Sequence, residues 1–573
     1  VLVGVSALVV AAGVWLVVRG ALAVGEATAL RAAAERFEVT LDGATSDAAS
    51  AASFLDRVSG DAGALAGHAS ALASLTSDPV WRLAELVPLA GDQLRAARVG
   101  AGELARLTTA GRDVLEASGG VLAPTKTEGI DVDAIRALVG PLDAAVDALA
   151  EARATLGGLD RSGLLPPVVV ALDTLDAAIE RTGPALEAMR TTARIVPPVL
   201  GADEPRLVLL MLQNPAELRA AGGITGTFVA IRAEGGSMRL VAQADSTDFP
   251  PAAEPVLPIP ADASLRPDDG IGRFVQNITA TPDFPLSARL AAAWWRTHSG
   301  EEADAVIALD PLVLRPLLAL TGPVTVEGEQ IWSEQVVDTL LRRPYLEREQ
   351  DAQSSFFRVV TEAVFTAALA QPAQAPGMAF HLGPLIEQGR LAVWSAHPDE
   401  QAEIAQTAAA GMAARMQQRE AHALLLDDLT GGKLDAYLDA SFVLETAQCR
   451  PDGRATIVLR AVLTSGVEEG MALPWPSFPA FGGFDREDIG LRLTALGLPG
   501  AVFEGVRVGG AATPWSSGDV AGRPAAAARV VVPPGETVEV EFRLSGDPGE
   551  DPALLHTPLV GDAPVTIAEG ACE

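Results

Sequence analysis

The chain has 573 residues, 49% of them hydrophobic, and a formal net charge of −32. That length exceeds one hydrophobic core and sets an expectation of about three or four domains, while the apolar content excludes a disordered chain. The acidic balance excludes nucleic acid as a partner, because phosphate binding needs the opposite sign, and excludes attraction to an anionic bilayer through a basic surface.

Residues 1–18 are apolar apart from Ser6 and small side chains, and Arg19 closes the run. An uncharged stretch of that length reads as a transmembrane helix over 1–19. Ala21-Leu22-Ala23 offers a signal-peptidase site, but the reading taken is an uncleaved anchor, with everything after Arg19 outside the cytoplasm. The abrupt apolar opening implies a preceding segment that carries the flanking charges. Residues 26–198 are Ala-rich. From Ile135, Leu138, Val139, Leu142, Val146 and Leu149 recur at helical spacing, and Leu172, Leu175, Ile179, Leu186 and Met189 repeat it. This is the stripe of helices packed on helices, in an antiparallel bundle or stalk. Gly157-Gly158 and Pro166-Pro167 bound one connection, Asp78-Pro79 marks an earlier break, and Leu83, Leu86, Val87 and Leu94 follow it as one helix. Pro197-Pro198 ends the region.

The next domain spans 200–432. Residues 207–212 form a continuous apolar run, the pattern of a strand buried on both faces. It is expected to break at Asn214-Pro215, since Pro donates nothing to a ladder. The chain resumes as a strand at Thr227. The intervening loop holds Asn214, Glu217, Arg219, Gly222, Gly223 and Gly226. Two readings stand. A Gly-rich loop beside an Arg can grip a phosphate, or the glycines only let the chain turn. Gly235-Gly236 makes a hairpin turn. Asp245 and Asp248 close the returning strand, where two carboxylates can hold Mg²⁺ or form a solvated acidic turn. Asp283 caps a helix carrying Leu290, Trp294 and Trp295. A strand at 306–309, a helix at 312–320 and a strand at 324–326 follow, giving a mixed α/β pattern. Arg342, Arg343 and Arg348 cluster before a helix at 354–369; they can meet a diphosphate or balance neighbouring glutamates.

The run Leu212-Gln-Asn-Pro-Ala-Glu-Leu-Arg-Ala-Ala-Gly-Gly-Ile-Thr-Gly226 resembles the signature of the DUF4012 family, common in actinobacterial envelopes. The resemblance continues in order through Asp245-Ser-Thr-Asp248, Asn277-Ile-Thr-Ala-Thr, Asp283-Phe-Pro-Leu-Ser287, Ala305 to Asp310, Leu320-Thr-Gly-Pro-Val324 and Gly432-Lys433-Leu-Asp435-Ala-Tyr437-Leu. It covers roughly 200–440 and carries no established chemistry. The same order of parts is also similar to the LytR-CpsA-Psr enzymes. That resemblance implies a Mg²⁺-dependent transfer of a polyprenyl pyrophosphate-linked glycan to the cell wall. Arg219, Asp245 or Asp248, and Arg348 would then be the nearest equivalents of its charged residues. Ile224-Thr225-Gly226-Thr227 lacks the two charges that family has there, and no Pro-Arg-Asp run surrounds Asp248.

From Leu434 the period becomes two. Strands are expected at 456–463, 489–493, 529–532 and 537–543, an antiparallel β-sandwich over 434–573. Residues 471–484 form an apolar, Pro-rich loop, either a contact surface or a cover for the sandwich. Cys449 and Cys572 stand at opposite ends of this domain; in an oxidising compartment they can pair, and otherwise they are two buried thiols. The six scattered histidines have no zinc spacing, and no nucleophile elbow, Walker loop or dinucleotide fingerprint occurs.

The fold class expected is multidomain α+β: transmembrane helix, helical bundle, α/β domain and β-sandwich. Two functions are carried forward. One is a non-catalytic or ligand-binding envelope protein that recognises envelope glycan, a polyprenyl-linked lipid or an envelope protein. The other is the phosphotransferase, with Arg219 on phosphate and Asp245 or Asp248 on Mg²⁺.

Overall fold

A computed structural model describes residues 2–42, 48–88, 90–122, 129–265, 270–369, 383–448, 450–471, 484–549 and 551–570. The chain forms a multidomain α+β protein of two compact units, Val1–Pro198 and Val199–Glu573.

Unit 1 is helical: α1 (Leu2–Asp42), α2 (Ala48–Thr76), α3 (Pro79–Ala84), α4 (Gly91–Leu122), α5 (Val132–Ala137), α6 (Val139–Gly157) and α7 (Pro166–Val199). Helices α1, α2, α4 and α6 pack in succession. Much of their interface is alanine, including Ala66, Ala69, Ala96, Ala145 and Ala152, all buried. Small side chains let helix axes approach closely, which explains why so Ala-rich a chain still packs. Leu156, Leu172 and Ile179 fill one end of this core, and Leu142 and Ala193 another. Asp78 caps α3, accepting from Val80 N at 2.8 Å, with Pro79 in the first turn where no donor is needed.

Two expectations here are corrected. Met189 lies exposed rather than in the stripe. Leu86 and Val87 are exposed in a turn after α3 and do not continue a helix to Leu94, which belongs to α4. Unit 1 ends at Pro198, as expected, with both prolines inside the last turn of α7. Among the described residues no helix is long and apolar enough to cross a membrane. Trp15, Val17, Val18, Leu22 and Val24 of α1 are nonetheless exposed.

Unit 2 opens with a five-stranded sheet ordered β3-β2-β1-β4-β7. Its strands are β1 (Arg206–Arg219), β2 (Gly222–Glu234), β3 (Ser237–Asp245), β4 (Ala305–Leu309) and β7 (Leu391–Ser395). Only β1 and β4 are parallel. Helix α8 (Phe284–Ser299) packs on this sheet, capped by Asp283, whose side chain accepts from Leu286 N at 3.1 Å. A helical excursion follows: α9 (Leu314–Thr321), the small hairpin β5 (Val324–Val326) and β6 (Glu329–Ile331), α10 (Arg343–Glu347) and α11 (Gln350–Leu369). Two short helices follow, α12 (Pro398–Ile404) and α13 (Met412–Gln418), with Gly411 at φ 95° between them.

The last part is a β-sandwich. One sheet contains β13 (Ala511–Ala512), β12 (Val502–Val508), β16 (Thr537–Gly546), β10 (Ala455–Ser465), β9 (Leu438–Ala447) and β18 (Val565–Glu569), in that order. The other contains β14 (Ser516–Val520), β15 (Arg523–Val532), β11 (Ile489–Leu496), β8 (His422–Asp428) and β17 (Leu554–His556). The alternation of β10, buried at every second residue, places Ile457, Leu459, Ala461 and Leu463 between the sheets. Two features differ from the expectation. The sandwich is not wholly antiparallel, because β17 runs parallel to β8 and β18 parallel to β9. Its sheet also recruits β8, which lies before Gly431-Gly432 and within the sequence assigned to the α/β domain.

Candidate functional site

The segment 212–226 is a hairpin and not a loop. Strand β1 continues past Asn214-Pro215 to Arg219, Ala220-Ala221 make a two-residue turn, and β2 begins at Gly222. Pro215 is tolerated because it falls in a bulge: Asn214 pairs with Ile224 and Leu218 with Gly223, so Pro215, Ala216 and Glu217 face no ladder partner. Two glycines make this possible. A Cβ on Gly223 would stand 2.2 Å from the Asn214 carbonyl oxygen and 2.6 Å from Pro215 N, and Gly222 holds φ 138°. Gly226 has no such neighbour; the nearest atom to its Cβ position is Leu212 O at 4.0 Å.

The hairpin enters four cores in turn. Leu207, Leu209 and Met211 pack under α8, Ala216 in the helical excursion, Leu218 between the sandwich sheets, and Ala220 against α13 and β8. Its tip is pinned from three sides. Ala220 N donates to Asp427 Oδ1 at 2.9 Å, Ala221 N to Thr279 O at 3.1 Å, and Thr557 Oγ1 to Ala220 O at 3.0 Å. Leu218 N donates to Asp435 Oδ2 at 2.8 Å.

Charge gathers around that tip. The bulge turns Glu217 toward Arg219 Nη2, at 3.0 Å, and toward Lys433 Nζ. Arg219 also donates from Nε to Asn277 Oδ1 at 3.2 Å and from Nη1 to Leu218 O at 2.8 Å. Its side chain is 12% exposed. Asp427 accepts from Arg492 at 3.1 Å, and Asp428 accepts from Thr430 N and Gly431 N. Asn214 Nδ2 donates to Tyr345 Oη, and the Tyr345 ring lies 5.9 Å from Lys433 Nζ.

The titration of these groups follows from burial and pairing. Burial alone would raise Glu217, but Lys433 and Arg219 outweigh it and hold Glu217 below the usual carboxylate range. Burial would lower Arg219, but Glu217, Asp428 and Asp427 outweigh that and raise it. Burial, with Glu217 adding repulsion, pushes Asp428 up to about 6. Asp435 is raised well above its ordinary value by burial and Asp428. The four carboxyls of Glu217, Asp427, Asp428 and Asp435 face three cations, Arg219, Lys433 and Arg492, an imbalance in keeping with the upward shift of Asp435.

The family described as "Protein of unknown function (DUF4012)" matches residues 203–345. That segment carries a DUF4012 region. No curated protein and no solved structure matches it. The DUF4012 match ends at Tyr345, so Asp427, Asp428, Lys433 and Asp435 lie beyond it and are contributed by β8 and the turn after it. None of these four was singled out from sequence for charge. The one signal was the run from Gly432 to Leu438, holding Lys433 and Asp435, which follows the signature in order.

The other expected site residues are placed as follows. Asp245 and Asp248 form a capping box: Asp248 Oδ2 accepts from Asp245 N at 2.8 Å, and Asp245 Oδ1 from Thr247 N at 3.0 Å. One oxygen of each carboxylate thus serves the solvated turn that was the alternative to Mg²⁺, and no group of three or more His, Cys, Asp or Glu suited to a metal occurs among the described residues. Arg348 pairs with Glu327 at 2.9 Å and lies over the Phe356 ring, engaged away from the hairpin tip. Arg342 donates to Ala436 O at 2.8 Å, and Arg343 to Glu329 at 2.7 Å. Cys449, Cys572 and residues 472–483 of the apolar loop lie outside the described residues.

Proposed function

We propose that this protein is a non-catalytic component of a cell envelope. On this reading it is tethered by its first helix with its bulk outside the cytoplasm, and it recognises an envelope glycan, a lipid-linked glycan or an envelope protein. The observation that carries the non-catalytic part is the engagement of Arg219: all three of its nitrogens are hydrogen-bonded within the hairpin and to Asn277, and the hairpin itself joins four cores. A phosphate ligand would compete with Glu217 for that guanidinium, and displacing it would leave a buried carboxylate with one cation fewer. The tether rests on the apolar opening of the sequence and on the exposed Trp15, Val17, Val18, Leu22 and Val24 of α1, a strip that water does not favour.

The test has two arms. After cell breakage the chain should sediment with membranes and resist carbonate extraction; release into the supernatant would overturn the tether. Detergent-purified chain, incubated with Mg²⁺ and a polyprenyl pyrophosphate-linked saccharide, should release no polyprenyl monophosphate. Its release, abolished by Arg219→Gln, would favour the phosphotransferase instead.

A further inference from the structure

A second polar feature of unit 2 borders the hairpin at Gln213 and Ala221. A cavity of ≈ 10 Å³, room for about one water-sized particle, lies among Gln213, Ala308, Gly389, Arg390, Met412 and Arg415. It sits where the parallel pairing of β1 and β4 ends, at Leu212 and Leu309. In α/β sheets that end of the strands is where ligands collect.

The two guanidinium groups on its wall differ in their partners. Arg390 is balanced, donating to Asp310 Oδ2 at 2.7 Å and to Leu559 O at 2.6 Å. Arg415 is only 4% exposed and is held by one bond, from Nη2 to the Glu387 carbonyl. Its Nε and Nη1 have no partner among the described residues. Of the surrounding charges Glu387 offsets it only in part. Asp310 is engaged by Arg390, and the Glu387 carboxylate is bridged to the half-exposed Arg419. His556, lowered by burial, brings no negative charge. Burial and Arg419 lower Arg415 to about 10, which still leaves it protonated at neutral pH. The wall is closely fitted: a Cβ on Gly389, whose φ is 77°, would stand 2.3 Å from Arg415 Nη1.

A water here would accept hydrogen bonds yet leave the charge uncompensated, whereas an anion meets both needs. We propose that the cavity is a binding site for one small monovalent anion of halide size, held by Arg415 Nε and Nη1 with Arg390 and Gln213 beside it. The site is independent of the tether and of any catalytic reading.

Crystals of the chain soaked in sodium bromide should show an anomalous peak in contact with Arg415 Nε and Nη1. Bromide found only elsewhere, or a water at that position, overturns the proposal. In solution, replacing gluconate by chloride or bromide at constant ionic strength should raise the thermal midpoint of unit 2 saturably, and Arg415→Gln should lose that rise. A rise that persists in the variant overturns the site. Should the variant fail to fold, the anomalous map of the natural chain decides alone.

Discussion

Two glycines of the DUF4012 signature, three residues apart, should respond oppositely to the same substitution. In Gly223→Ala the new Cβ meets Asn214 O at 2.2 Å, Asn214 C at 2.3 Å and Pro215 N at 2.6 Å. All three are backbone atoms of the bulge, and Pro215 fixes its own φ, so no side chain can swing aside. Relief requires the bulge to move by about an ångström, which also shifts Glu217 and Leu218. Overpacking costs about 1–3 kcal/mol where side chains can adjust, so about 3 kcal/mol or more is expected here. In Gly226→Ala the Cβ finds only Leu212 O, at 4.0 Å, and φ is not in the left-handed region. The loss of unfolded-chain freedom then leaves this variant neutral or more stable by about 0.5 kcal/mol. Calorimetry of the full chain, comparing the unit 2 transition in the two variants, reads the contrast. Equal midpoints for Gly223→Ala and Gly226→Ala would refute the close approach across the bulge.

Asp428 gives a pH prediction with a defined sign. Its folded pKa, about 6, lies above the ordinary carboxylate value of 3.8. The folded state therefore holds the extra proton, and the contribution is fully present below about 4 and lost as pH rises through about 6, up to about 3 kcal/mol. Asp428→Asn keeps an acceptor for Thr430 N but sets its amide NH2 against Gly431 N, a cost that does not vary with pH; the difference in unfolding free energy between variant and natural chain should therefore shift from pH 4 to 7 in favour of the variant, and a difference flat across that range contradicts the shift. A third prediction concerns the cysteines. Strands β9 and β18 pair in parallel as far as Thr446 with Glu569, and Cys449 and Cys572 each follow three residues later in the sequence. In an oxidising compartment two cysteines that each follow a paired strand end can form a bridge. A non-reducing digest of oxidised protein should yield a Cys449–Cys572 peptide pair, and two free thiols would refute it.

The parts of this fold legible in the sequence are those specified locally. Gly235 and Gly236, at φ 56° and 84°, make the turn they announce, with Glu234 paired to Ser237. Asp283 caps α8, and Gly157 and Pro166 bound the connection between α6 and α7. Pro215 misleads because the rule against proline in strands applies to a paired ladder position, and the bulge removes the pairing. Residues 422–428 escape notice for a different reason. Strand β8 is buried at every position, so it shows no alternation to distinguish it from the helical stretch before it. The charge cluster is the least legible part. Asp427 reaches Ala220, and Asp435 reaches Leu218, across more than two hundred residues of chain. Local spacing around Glu217 and Arg219 therefore reads as an open anion loop, while tertiary pairing makes the same residues an internal joint.

Amide hydrogen exchange at Leu218 and Ala220 reports on that joint directly. Their N–H groups are donated to Asp435 and Asp427 inside unit 2, so they should exchange only with global opening of the unit, at rates unchanged by added polyprenyl phosphate. Exchange of these two amides by fast local opening, or protection that appears only when the phospholipid is added, would contradict the account.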